Sequence, residues 1–266
     1  MSTNNRTGRK RDYVGVLSSV FAIVIGLLVG FVILLICNPS QALPGFVTIL
    51  TGAFTHGLKG VGQVFYYATP IILTGLSVGF AFKTGLFNIG TPGQFIVGAF
   101  AAVYVGIMWT GLGRIQWAVA LLAAILGGAL WGMVPGFLKA CFNVNEVIAS
   151  IMMNYIGMYM VNWIVKSYKP LFNNLRNESR NVAATAQIPK MGMDKLFPES
   201  SVGGGILLAI AAVLIIWVIL NKTTFGYELK AVGFNRDASR YAGINEKRNI
   251  IMSMVIAGAI AGMAGG

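Results

Sequence analysis

Long runs without a single charge alternate with short polar stretches along this chain. The uncharged runs cover residues 13–37, 62–82, 94–113, 116–138, 147–165 and 202–220, and a last one begins at Ile250. As a helix the first, Tyr13 to Cys37, would measure about 37 Å at about 1.5 Å per residue, enough to cross a hydrocarbon core of about 30 Å with some tilt. It is too long for the apolar core of a cleaved signal peptide and reads as an uncleaved first span. The pattern predicts an all-α, polytopic membrane helical bundle with at least seven transmembrane helices. The last run stops at Gly266, so it is expected to be truncated, with further spans beyond. Residues 38–61, with Pro39, Pro44 and several glycines, are expected to form an amphipathic or re-entrant piece.

Composition agrees with this picture. The chain is 56% hydrophobic and 11% charged, against about 45–50% and about 25% in soluble domains. Its 20 basic and 8 acidic residues give a net charge of +12. In a membrane protein that excess needs no nucleic acid, because basic residues gather at the cytoplasmic ends of helices. Arg6, Arg9, Lys10 and Arg11 place residues 1–12 in the cytoplasm. Lys222, Lys230, Arg236, Arg240, Lys247 and Arg248 place 221–249 there too, and the transmembrane domain is 13–266. The polar segment 166–201 then faces outward, although it also carries basic residues. Cys37 and Cys141 fall at opposite membrane faces in this topology and imply neither a disulfide nor a metal site, and His56 reads as a loop residue. The glycine pairs Gly26/Gly30, Gly75/Gly79, Gly128/Gly132, Gly132/Gly136, Gly258/Gly262 and Gly262/Gly266 have the small-xxx-small spacing that lets helix backbones approach in lipid.

Three polar stretches carry candidate chemistry. In the run from Lys83 to Phe95, KTGLFNIGTPGQF, Thr91-Pro-Gly-Gln94 fits a capping box, with Thr91 as N-cap, Pro92 in the first turn and Gln94 reaching back. The preceding helix must end near Phe82 or Lys83, which leaves Gly85 to Gly90 non-helical. Such backbone at membrane depth must be buried in protein or line a wet path; a tight turn at the membrane surface is the alternative. The second stretch is Asn143-Val-Asn-Glu146 with Ser150 and Asn154. Glu146, Ser150 and Asn154 fall within about 80° on one helical face. Asn143 as N-cap with Glu146 at the third helical position would explain the first part as capping. In the third stretch, Thr224 to Asn245, Asn235 is a good N-cap and Gly243 a good residue just past a helix end, framing a short helix from Arg236 to Ala242. So short a helix is marginal in water and wants a surface to dock on, either its own bundle or a partner's groove.

No catalytic set is visible: the chain has no phosphate-binding glycine loop ending in Gly-Lys-Ser/Thr, no His-Glu-x-x-His and no triad. The stretch from Gly75 to Gly90 with Gly93-Gln94, the stretch Asn145-Glu-Val-Ile to Tyr155, the segment Gly226 to Gly243 and the small-residue helix after Ile250 resemble, in order, the permease subunits of bacterial ABC importers for nucleosides and simple sugars. That resemblance spans roughly residues 62–266 and leans toward the nucleoside importers. It implies a chain that binds no cofactor of its own and is not an enzyme. The implied partners are an ATP-binding subunit that uses ATP and magnesium, a second related permease, an extracytoplasmic substrate-binding lipoprotein and membrane lipid. It also implies a bacterial cell membrane with a cytoplasmic amino terminus. On the same basis Phe87, Asn88, Gln94 and Asn154 become candidates for the substrate pathway, and Gly226, Gly233, Asn235, Asp237, Tyr241 and Gly243 for coupling to the ATPase. One departure is that Thr91-Pro92 stands where the family usually has a small residue and a glutamate. The alternatives are the same machine carrying a monosaccharide or a branched-chain amino acid, or an ion-coupled carrier or channel.

Overall fold

The computed structural model describes residues 13–266, so the basic stretch with Arg6, Arg9, Lys10 and Arg11 lies outside the described residues. The chain divides into two compact units between Val61 and Gly62. The first holds α1 (Tyr13–Cys37) and α2 (Pro39–Thr55). Asn38 separates them, and Pro39 opens α2 in its first turn, where its missing N–H costs nothing. Phe31 of α1 and Phe46 of α2 pack with ring centroids 4.8 Å apart. The stretch expected to be amphipathic or re-entrant is thus largely one helix. Pro44 is tolerated inside it, and the Thr48 hydroxyl donates 2.9 Å to the Pro44 carbonyl.

The second unit contains the rest of α3 (Gly57–Phe82), then α4 (Thr91–Met108), α5 (Gln116–Phe142), α6 (Glu146–Ser167), the short α7 (Met193–Leu196), α8 (Gly205–Lys222), α9 (Thr224–Phe234), α10 (Arg236–Tyr241) and α11 (Glu246–Gly265). Across the described residues seven helices are long and apolar enough to cross a membrane: α1, α3, α4, α5 with the turn before it, α6, α8 and α11. The chain is a multi-pass membrane protein. Where the uncharged runs and the helices differ, glycines and caps decide. The run 94–113 breaks at Met108, because a 3-10 turn follows in which Gly113 takes φ 55°. The last helix starts ahead of Ile250, because the Asn245 side chain accepts from the Arg248 N–H at 3.0 Å and caps it.

The centre of this unit is α4, α5 and α11, and glycine allows their close approach. A methyl on Gly128 would lie 2.6 Å from Gly262 Cα, one on Gly132 3.1 Å from Gly258 Cα, and one on Gly136 2.8 Å from Met254 Cβ. Gly26, Gly30, Gly75 and Gly79 would meet nothing within 4 Å. The glycine spacing therefore marks real helix contacts in α5 and α11 and none for those in α1 and α3. Buried Leu73, Phe80, Ala209, Ile216, Leu229 and Ile260 join α3, α8, α9 and α11.

Segment 166–201 folds over one end of the second unit. Its two short strands, Phe172–Asn173 and Glu178–Ser179, pair antiparallel with Phe172 opposite Ser179. Buried Gln116 anchors the segment: its amide donates to the carbonyls of Val105 and Gly106, at 3.3 and 3.1 Å, and accepts from the Thr185 hydroxyl.

Candidate functional site: the polar loop and the helix pair beside it

α3 ends at Phe82, and residues 83–90 run as a non-helical loop into α4. Two hydroxyls bind its start to α11. Thr84 donates to the Ser253 hydroxyl and Ser77, near the end of α3, to the Ala257 carbonyl, both at 2.7 Å. Gly85 takes φ +70°, which turns the chain. Leu86 is fully buried, in one cluster with Val232 of α9 and Ile250, Met254 and Ala257 of α11.

The predicted capping box does not form. Gly90 is the N-cap, Thr91 is already helical, and its hydroxyl donates to the Asn88 carbonyl at 3.2 Å. Gln94 has a better partner than a backbone N–H. Asn88 Nδ2 donates to Gln94 Oε1 at 3.0 Å and Gln94 Nε2 donates to Asn88 Oδ1 at 3.1 Å. The Gly90 N–H adds a second bond to Asn88 Oδ1, which fills both lone pairs of that oxygen and fixes which way the amide faces. Both side chains are 1% exposed.

Asn154 of α6 completes the arrangement. It accepts from the Gly93 N–H at 2.8 Å and donates to the Ile89 carbonyl at 2.7 Å, so one amide satisfies a donor in the first turn of α4 and an acceptor in the loop. A methyl on Gly93 would lie 2.8 Å from Asn154 Cα, so glycine is what lets the two helices meet there. Ser150, one turn before Asn154 and fully buried, faces Gly90. Phe87 differs from the three amides: it is 44% exposed and its ring packs edge-on against Phe82 at 4.9 Å.

Capping at α6 is also reassigned. Asn143 takes the left-handed conformation that ends α5, at φ 52°, and Asn145 is the N-cap, accepting from the Val147 and Ile148 N–H groups at 2.9 and 3.4 Å. Glu146 is therefore the first helical residue instead of the third. Its carboxylate pairs with Lys139 of α5 at 2.9 Å and also feels the charge of Arg236 at the start of α10. Asn-Val-Asn offers two asparagines suited to a cap. The left-handed helix end claims the first, which spacing alone does not reveal.

The segment after α8 holds two helices, although the sequence marks only the second clearly. Thr223 caps α9 by accepting from the Gly226 N–H at 3.1 Å, and a methyl on Gly226 would lie 2.7 Å from Leu220 Cα, so α9 turns tightly against the end of α8. α9 is fastened to the bundle by buried Leu229 and Val232 and by Glu228, which accepts from the Asn249 amide of α11 at 3.0 Å. Asn235 then caps α10, accepting from the Ala238 N–H at 3.0 Å. At the other end of α10, Gly243 with φ +80° supports a paired turn: its N–H bonds the Arg240 carbonyl and the Ile244 N–H bonds that of Ser239. Asp237 lies on the exposed surface of α10, and the rings of Phe234 and Tyr241 are 91% and 95% exposed. Gly233 meets the polar loop, where a methyl on it would lie 3.1 Å from the Thr84 carbonyl carbon. The structure thus brings Asn88, Gln94, Asn154 and Gly233 into one region and leaves Asp237 and Tyr241 projecting from it.

Sequence reasoning did not single out Ser77, Thr84 and Ser253, the hydroxyls that fix the loop to α11; a serine or threonine inside an apolar run gives little warning of its partner. It also missed a cavity of about 740 Å³ toward the opposite ends of α3, α4, α5 and α11, lined by Tyr66, Tyr67, Phe95, Trp117 and Gln187 among others.

Residues 60–266, the second unit with the two residues of α3 before it, match the family described as the permease component of the branched-chain amino acid transport system. The chain belongs to this family. It is 42% identical over 246 residues to the guanosine ABC transporter permease protein NupP of Bacillus subtilis, covering 92% of this chain and 69% of that relative. The nucleoside ABC transporter permease protein NupB of Lactococcus lactis subsp. cremoris is 35% identical over 268 residues, covering 98% and 71%. The glucose ABC transporter permease protein TsgB13 of Haloferax volcanii is 31% identical over 227 residues, covering 83% and 58%. No solved structure matches the chain.

Proposed function

We propose that this chain is the transmembrane permease subunit of an ATP-driven importer for nucleosides, providing half of the pathway while a second, related permease provides the other half. The observation that carries the reading is the α9–α10 pair: α9 is fastened to the bundle and exposes Phe234 at its last position, and α10, capped at both ends, carries Tyr241 away from the bundle. Two large exposed rings, at the ends of two consecutive short helices, suit a groove in another protein. That protein is an ATP-binding subunit, which supplies the nucleotide and magnesium chemistry, so this chain carries out no hydrolysis itself. Gly226, Gly233, Asn235, Asp237, Tyr241 and Gly243 form the coupling region, with Asp237 and Tyr241 in the contact and the others shaping it. ATP-driven closure of the ATPase moves this region and biases the bundle between outward-open and inward-open states.

With residues 1–12 and 221–249 in the cytoplasm, as their basic residues favour, the segment 166–201 faces outward toward a substrate-binding lipoprotein in a bacterial cell membrane. Phe87 contributes an aromatic face to the path, and Asn88, Gln94 and Asn154 hold the loop that presents it. Neutral, flat nucleobases suit an aromatic face such as that of Phe87 better than fixed charges. The two nucleoside-named relatives support the substrate class, and the glucose-named one keeps a monosaccharide as the second reading.

Uptake of labelled uridine in cells with and without the gene, with unlabelled nucleosides and ribose as competitors, tests the substrate. Gene-dependent uptake blocked by nucleosides and indifferent to ribose is the expected outcome; competition by ribose alone would overturn the nucleoside assignment. Transport that persists without any ATP-binding subunit would overturn the importer.

A further inference from the structure

Where the coupling helix meets the bundle, two glycines touch through their backbones. A methyl on Gly85 would meet the Gly233 carbonyl oxygen at 3.2 Å and Gly233 Cα at 3.4 Å. A methyl on Gly233 would press on the Lys83 carbonyl oxygen and stand 3.2 Å from the Gly85 nitrogen. On one side of this contact, Leu86 and Val232 are buried in the same apolar cluster. On the other, Lys83 and Phe234 line a small cleft together with Phe82 and Lys230. Three residues beyond Gly85, Asn88 begins the amide chain to Gln94, and Asn154 ties the same loop to α6.

We infer that Gly85 and Gly233 form a rigid joint, so that α9 and the loop 83–90 move as one body and displacement of the coupling helices reaches the Asn88–Gln94–Asn154 lock without slack. This rests on the reading of α9–α10 as the ATPase contact and adds to it the route by which motion enters the bundle. Three features of the contact favour a rigid joint over a sliding one. It is backbone on backbone, so no side chain can rotate to absorb the motion. The left-handed Gly85 tolerates no ordinary residue without strain. The buried cluster behind the joint is closely packed and transmits displacement rather than yielding. Gly85 and Gly233 are thus positioning residues that touch neither solute nor ATP.

The test uses the whole transporter, with its ATP-binding subunit, second permease and binding protein, in proteoliposomes. In a background with Cys37→Ser and Cys141→Ser, the pair Lys83→Cys and Lys230→Cys, on the two sides of the same cleft, is bridged by a short reducible bis-thiosulfonate. If the joint moves as one body, bridging leaves uptake unchanged. Uptake that collapses on bridging and returns on reduction would show that the two sides separate during transport, and so would overturn the inference. Failure of the pair to bridge would overturn it as well.

Gly233→Ala supplies a second readout. The ATP-binding subunit should still co-purify and hydrolyse ATP, while solute moved per ATP falls by about tenfold, the size of a typical coupling between two sites. A wild-type transport ratio in that variant would refute the joint. Loss of the underlying reading has a different signature: the ATP-binding subunit would co-purify with the Tyr241→Ala variant as well as with wild type, whatever Gly233 does.

Discussion

Replacing Asn88 and Gln94 by alanine, singly and together, tests whether these buried amides are bonded to each other. Asn88→Ala removes three hydrogen bonds: two shared with Gln94 and one from the Gly90 N–H. Gln94→Ala removes the two shared bonds. Side-chain hydrogen bonds between helices in membranes average about 0.6 kcal/mol each, whereas an unsatisfied buried group costs about 1–3 kcal/mol. Because both side chains are 1% exposed, the partner left behind has no water to turn to, which favours the upper part of the membrane range. At about 0.6–1 kcal/mol per bond, Asn88→Ala costs about 2–3 kcal/mol and Gln94→Ala about 1–2 kcal/mol. The double variant loses each shared bond once, so it should be less destabilised than the sum of the singles by about 1–2 kcal/mol. Titration with sodium dodecyl sulfate in mixed micelles, followed by the fluorescence of the five tryptophans, reads these differences. Additivity to within about 0.5 kcal/mol would refute the pairing, since it would mean that the two amides act independently.

Three further outcomes follow from the packing and the caps. Gly262→Leu should destabilise the bundle by about 1–3 kcal/mol through forced separation of α5 and α11, while Gly75→Leu, where nothing lies within 4 Å, should cost nothing measurable in the same titration. Asn235→Ala should remove about 1 kcal/mol of capping from α10; because α10 is only six residues long, its amides should then exchange with solvent faster than those of α9, and ATPase stimulation should fall with them. Glu146→Ala leaves Lys139 unpaired with its side chain 14% exposed, so it should be less stable than the joint replacement of Glu146 by Leu and Lys139 by Met; the reverse order would show that the ion pair itself supplies the stability.

Most of the architecture was legible because a bilayer gives the chain few choices: a long uncharged run can only be a helix. The ends were less legible. Thr91-Pro-Gly-Gln94 satisfies every local rule for a capping box, yet Gln94 bonds Asn88, six residues back in the loop, because the fold brings a second buried amide within reach. Asn143 failed as a cap for a similar reason: the helix before it needed a left-handed residue to end. In contrast, Asn235 and Gly243 behaved as their local sequence predicts. They sit in a segment with few tertiary contacts to compete, and there capping rules decide.

The same logic explains why a very apolar chain keeps three amides around one loop. The loop interrupts the helices at Phe82 and resumes them at Thr91, which frees backbone groups that a continuous helix would pair internally. Three such groups are accounted for: Asn88 takes the Gly90 N–H, and Asn154 takes the Gly93 N–H and the Ile89 carbonyl. Asn154 does this from another helix, so the break in the backbone is repaired only when α6 is docked. A loop repaired from outside can be released from outside, at a cost of the two Asn154 bonds, about 1–2 kcal/mol by the same scale. That is small compared with unfolding a helix end and comparable to typical coupling energies between sites. Asn154→Leu should therefore loosen the loop while α6 still spans. Faster hydrogen exchange confined to residues 89–93 would establish it, and exchange unchanged there would mean that the loop is held without Asn154.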